Sequence, residues 1–241
     1  MISLHSRTHL IRCAFASIAA LFFFSCSTAD DSDSVPIPAD LTTYLALGDS
    51  YTIGEGVNTG QRFPAQLEDS LAAQGVLLDR REIIAQTGWR TDNLQQAIDE
   101  ADLPTNSYDL VTLLIGVNDQ FQGRDLDGFR QNLDGLLDEA RRVSKTGDDG
   151  IILISIPDYS VTPFAMNSDT ARIRTEIDLY NGAVAAAADQ RSLAFVNVTP
   201  ISRLARMDRS LLASDGLHPS ARMYADWIGQ LLPVATAMLT D

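Results

Sequence analysis

The chain has 241 residues, 18 basic against 32 acidic, and a formal charge of −14. That acidity argues against nucleic acid as a partner. The length allows one domain with a sizeable core, and 45% hydrophobic content is ordinary for a globular fold.

At the N-terminus, Arg7 and Arg12 precede an apolar stretch from Cys13 to Phe24. It is too short to span a bilayer as a mature helix and is flanked like a secretory signal. Phe23-Phe24-Ser25-Cys26 resembles the lipobox of bacterial lipoproteins, although both phenylalanines are bulkier than that pattern prefers. Residues 1–25 are therefore expected to be a lipoprotein signal peptide and Cys26 the lipidated first residue, anchoring an extracytoplasmic protein to a membrane. The alternative is an ordinary secreted protein cleaved near Ser25. Cys13 leaves with the leader, so no internal disulfide can form. Residues 26–40, with Asp30, Asp31 and Asp33 among serines and prolines, hold too few apolar residues to offset ordering and read as a disordered acidic tether. These aspartates lack the glycine turn and terminal glutamate of a loop-type calcium site.

From residue 41 onward one domain is expected. Tyr44 to Leu47 is a short apolar run that predicts a strand, and Gly48-Asp49-Ser50 follows it. A helical pattern at Phe63 to Ala73 leads to a second run, Ile83 to Ala85, and then to Gln86-Thr87-Gly88-Trp89. After a helical pattern at Leu94 to Ala101 comes Leu110 to Ile115, followed by Gly116-Val117-Asn118-Asp119. Leu126, Phe129, Leu133, Leu136, Leu137, Ala140 and Val143 recur at helical spacing. The run Ile151 to Ile156 precedes an apolar loop, Pro157 to Asn167, carrying Tyr159, Val161, Phe164 and Met166, which is read chiefly as a cover for the sheet edge and alternatively as a contact for an acyl chain. A helix at Ile173 to Ala187 and a run at Leu193 to Val198 complete the alternation. A last helix is predicted to start at Pro219, with Ala221, Tyr224, Ala225, Ile228, Leu231 and Leu232 on one side. Runs apolar almost throughout fit parallel strands covered by helices on both faces.

Ligands collect at the carboxyl ends of strands in such sheets, and each motif lies after a predicted strand or at the start of a helix. His5 and His9 lie in the leader, so His218 in Asp215-Gly216-Leu217-His218-Pro219 is the only histidine of the mature chain. A serine hydroxyl attacks well only when a neutral imidazole accepts its proton and a carboxylate fixes the imidazole tautomer. Ser50, His218 and Asp215 supply those roles. A developing oxyanion needs aimed donors, and the Ser50 N–H, the Gly88 N–H and the Asn118 amide are the candidates.

On these residues the chain resembles the SGNH hydrolases, or GDSL-type esterases, from about Thr43 to the C-terminus. Gly48-Asp49-Ser50 is similar to the family's nucleophile block, Gly88 to its glycine, Gly116 to Asp119 to its Gly-x-Asn-Asp block, and Asp215 to His218 to its Asp-x-x-His block. The resemblance implies a flavodoxin-like, three-layer α/β/α sandwich around a parallel sheet of about five strands. It also implies an esterase or lipase site of serine, histidine and aspartate, with no metal and no cofactor. Tyr51 departs from the leucine found in many members.

Tyr51, Trp89 and Phe164 are candidates for lining a sugar or acyl pocket, though such aromatics also serve as packing. Asp49 and Asp119 read as structural hydrogen-bonding residues. One mature histidine and at most one cysteine cannot assemble a histidine-rich or thiolate zinc site. The Gly-x-Ser-x-Gly elbow and the phosphate-cradling lysine loop are also missing. The expected activity is hydrolysis of small-molecule or glycan esters through an acyl-serine intermediate. Alternatives are a lysophospholipase or thioesterase-like acyl hydrolase, and a noncatalytic carbohydrate-binding lipoprotein.

Overall fold

A computed structural model of the chain describes residues 42–240. The signal peptide, Cys26 and the tether lie outside the described residues. In chain order the elements are β1 (Thr42–Gly48), α1 (Ser50–Ile53), α2 (Phe63–Ala73), β2 (Leu78–Ala85), α3 (Thr91–Ala101), β3 (Leu110–Leu114) and α4 (Val117–Phe121). Next come α5 (Leu126–Val143), β4 (Ile151–Ile154), α6 (Thr170–Arg191), β5 (Ala194–Val196), α7 (Thr199–Arg203) and α8 (Ala221–Thr240).

The five strands form one parallel sheet in the order β2-β1-β3-β4-β5, the flavodoxin-like order. Helix α2 packs on α8, while α3, α5 and α6 pack in series. The fold is the expected α/β sandwich. The central strands justify their composition: every residue of β3 and β4 is buried, as are Tyr44 to Gly48 of β1. In α5 the stripe Phe129, Leu133, Leu136, Leu137, Ala140 and Val143 is buried as its spacing requires.

The edges differ from the expectation. β2 begins at Leu78, five residues before the predicted run, through the polar stretch Asp79-Arg80-Arg81-Glu82. It is the edge strand, paired on one side only, so its side chains keep contact with water and their polarity hides the strand. β5 at the other edge is reduced to Ala194–Val196.

The last helix starts at Ala221 rather than Pro219, because Pro219 is bridged to Leu212 and Ser220 accepts the first helical bond from the Tyr224 N–H, at 3.1 Å. Its buried stripe runs through Met223, Tyr224, Trp227, Ile228, Leu231 and Ala235, leaving Ala225 exposed. Trp227 turns the face, since its ring packs 6.1 Å from Phe63 and 5.0 Å from Tyr224.

Candidate active site

The site is built on the carboxyl ends of β1, β2, β3 and β4, where the strand order reverses around β1 and β3. β1 must end on glycine: a Cβ at Gly48 would lie 2.2 Å from Thr52 Oγ1 and 2.4 Å from the Leu114 carbonyl oxygen. That close approach lets the chain turn at once into α1, with Asp49 as its cap and Ser50 as its first residue. Asp49 Oδ1 accepts the Tyr51 N–H at 3.0 Å. Ser50 is 5% exposed and faces the cleft, and among the described residues its hydroxyl makes no hydrogen bond.

Asp49 behaves as the structural residue its sequence position suggests, under unusual electrostatic conditions. It is fully buried, and its Oδ2 meets no partner among the described residues. Burial, with repulsion from Asp119, pushes its carboxyl up to about 8 despite the stabilising Tyr51 N–H. The unfolded chain ionises this group near the ordinary 3.8. Between those pH values the unfolded state therefore loses a proton that the native state keeps, and stability falls as pH rises, by up to about 1.4 kcal/mol per pH unit. Asp49→Asn removes that titration. The melting temperature of the wild type is expected to drop more between pH 5 and 8 than that of the variant, and parallel curves by calorimetry would refute the assignment.

Gly88 lies in the turn after β2 with φ +84 and open space where a Cβ would point. Backbone conformation, not crowding, demands glycine here. Asn118, in α4 after β3, donates from Nδ2 to the Trp89 carbonyl oxygen at 2.9 Å. Asp119 accepts the Thr91 N–H at 3.0 Å and the Thr91 hydroxyl at 2.7 Å. The two bonds tie the β3 loop to the β2 loop, fixing Asn118 relative to Gly88. Among the described residues no cap or turn bond engages the Ser50 or Gly88 N–H.

The histidine turn is self-organised. Asp215 Oδ1 accepts the backbone N–H groups of Leu217 at 2.9 Å and His218 at 3.0 Å, while Oδ2 lies 2.7 Å from His218 Nδ1. Burial pushes the Asp215 carboxyl up, but the bonds from the His218 ring and the two N–H groups prevail and hold it below the usual carboxylate range. A carboxylate on Nδ1 places the proton there and leaves Nε2 as the acceptor. His218 is 8% exposed, and Tyr51 meets its ring edge-on with centroids 5.7 Å apart. The Tyr51 backbone is held by Tyr224, whose hydroxyl donates to its carbonyl at 2.9 Å.

A cleft of about 500 Å³ of empty space brings Ser50, Gly88, Asn118 and His218 together, with Tyr51 and Phe164 on its walls. No hydrogen bond joins Ser50 to His218, a contact that commonly tightens only when substrate binds. Trp89 does not line this cleft; it packs against the core and contributes only its carbonyl, to Asn118. The walls also include Thr87, Val117, Phe121, Tyr159 and Leu217, none of which the motifs identify as site residues. The sequence signal for two of them is weak but real: Phe121 follows Asn118 by one helical turn, and Tyr159 lies in the apolar loop after β4. That loop folds into two 3₁₀ turns, Tyr159–Val161 and Pro163–Ala165.

Comparison with solved structures gives the same fold. A lipolytic protein of the G-D-S-L family from Veillonella parvula is 17% identical, with a TM-score of 0.65, covering 81% of this chain and 98% of that one. TesA is 20% identical, with a TM-score of 0.61, over 82% of this chain and all of the other. Axe2, an acetylxylan esterase from Geobacillus stearothermophilus, is 22% identical, with a TM-score of 0.60, over 83% of this chain and 94% of the other. No curated protein sequence matches. The GDSL-like Lipase/Acylhydrolase family model matches residues 46–225, from within β1 to within α8, and this chain belongs to that family.

Proposed function

We propose that the protein is a serine esterase acting on neutral carboxylic esters, with Ser50 as nucleophile, His218 as general base and acid, and Asp215 as its orienting carboxylate. Ser50 Oγ attacks the ester carbonyl carbon as His218 takes the hydroxyl proton, and the carbonyl electron pair moves onto oxygen. The Ser50 and Gly88 N–H groups and the Asn118 amide receive that oxyanion. Collapse breaks the bond to the alcohol, which leaves with the proton from His218 and yields an acyl-serine. Water then attacks with His218 again as base, releasing the acid and restoring Ser50.

The observation that carries this reading is the 2.7 Å contact of Asp215 with His218 in the cleft that also holds Ser50. Among the described residues no lysine or arginine lines that cleft. An anionic headgroup would therefore find no counter-charge, which favours small-molecule or acylated glycan esters over a lysophospholipase or thioesterase activity. Purified protein is expected to hydrolyse p-nitrophenyl acetate, with turnover abolished in Ser50→Ala. Glycan binding without turnover would instead support a noncatalytic carbohydrate-binding protein.

The proposal extends to location. Cys26 behind an apolar leader supports a lipid-anchored, extracytoplasmic protein, with ordinary secretion as the competing outcome. Metabolic labelling with a fatty acid in a bacterial host should tag the wild type and not Cys26→Ala. Equal labelling of both would exclude Cys26 as the anchor.

A further inference from the structure

The two ends of the cleft differ chemically, and the difference follows the strand order. Ser50 leaves β1, with β2 on one side of it and β3 then β4 on the other. At the β2 end, Thr87 lines the cleft and its hydroxyl donates to Glu55 at 2.6 Å, making a polar rim. At the β3 and β4 end, Phe121, Tyr159 and Phe164 form an aromatic cluster with centroid separations of 6.0, 6.2 and 6.3 Å.

The members of that cluster are not equivalent. Tyr159 is 5% exposed, and its hydroxyl donates to Gln120 Oε1 at 3.0 Å, while Gln120 donates onward to Glu176 at 2.7 Å. Its ring is thus fixed as a floor. Phe121 and Phe164 remain 56% and 52% exposed although they line the same cleft. Two phenyl rings left half in water beside a nucleophile are surface that a ligand can cover with gain. The cluster is also joined to the histidine turn, since the Phe164 N–H donates to the Gly216 carbonyl at 3.3 Å. An apolar chain lying on these rings would sit against the wall that carries His218.

Resting on the esterase reading above, we propose that Phe121, Tyr159 and Phe164 form the acyl-chain site, so that straight-chain acyl groups longer than acetyl are preferred while the alcohol lies toward Thr87 and Glu55. The acyl chain is the half of the ester that needs apolar cover. The alcohol carries the hydroxyl that is released and suits the polar end.

The experiment varies the two halves of the ester separately. With p-nitrophenyl esters from acetate to hexanoate, kcat/KM of the wild type should rise about fourfold per added methylene, the factor expected when each methylene is withdrawn from water. Lengthening the alcohol in a series of alkyl butyrates should give a much smaller rise. In Phe121→Ala/Phe164→Ala, whose truncated side chains are half exposed, the per-methylene factor in the acyl series should fall toward one. The proposal is overturned by a flat acyl series in an active wild type, by a rise confined to the alcohol series, or by a double variant that keeps the wild-type slope. Ser50→Ala separates the two levels: a flat acyl series with Ser50-dependent hydrolysis defeats only the acyl site. Hydrolysis that survives Ser50→Ala defeats the esterase reading and this proposal together.

Discussion

His218→Ala is expected to lower kcat/KM for a p-nitrophenyl ester by roughly 10⁴- to 10⁶-fold, the range seen when a triad histidine is removed. The size of the effect follows from the absence of a substitute: the other histidines, His5 and His9, lie in the expected leader. Asp215 cannot take over, because its Oδ1 is committed to the Leu217 and His218 N–H groups. Those two backbone bonds do not involve the imidazole, so the turn should keep its shape in the variant. The structural losses are the bond between the imidazole and Asp215 Oδ2 and the edge contact with Tyr51. A circular-dichroism melt close to the wild type, beside a collapsed rate, is the expected pair of results. Full activity would remove the imidazole from the reaction.

The second large effect is expected at Asn118. Loss of one oxyanion donor typically costs about 2.7–4 kcal/mol, so Asn118→Ala should lower kcat by about 10²- to 10³-fold. KM should change little, because the amide meets its charge only in the transition state. The variant also loses the bond to the Trp89 carbonyl, which ties Asn118 to the Gly88 loop. A typical hydrogen bond contributes about 1 kcal/mol net, so a modest drop in melting temperature should accompany the kinetic loss. A lower melting temperature with an unchanged kcat would leave Asn118 with the anchoring role alone.

What the sequence makes legible follows burial. β1, β3 and β4 sit mid-sheet, where both faces need apolar residues, and their runs stand out. The α5 stripe is equally clear, because one amphipathic helix covers one sheet face. The start of β2 is not legible, since an edge strand that touches water can carry Asp79, Arg80 and Arg81. Pro219 misleads because proline is favoured in a first helical turn, whereas tertiary pairing with Leu212 sets its place here. Trp227 shows the limit of periodicity: its large ring rotates the buried face of α8.

The site divides in the same manner. Gly48-Asp49-Ser50, Gly88, Asn118 and Asp215 to His218 are local motifs with backbone requirements, and the fold brings them to one cleft. Its aromatic wall is assembled from loops after two different strands, Phe121 after β3 and Tyr159 with Phe164 after β4. Nothing in a single sequence window links them. Trp89, next to Gly88 in sequence, turns instead toward the core.

Acyl-enzyme trapping tests the central claim most directly. The protein is mixed with excess p-nitrophenyl butyrate, quenched in acid within the first turnovers, digested and analysed by mass spectrometry. The expected result is a butyryl group on the peptide containing Ser50, accumulating in the wild type and absent from Ser50→Ala. A butyryl adduct on another residue at the turnover rate, or Ser50→Ala hydrolysing ester as fast as the wild type, would contradict the serine mechanism.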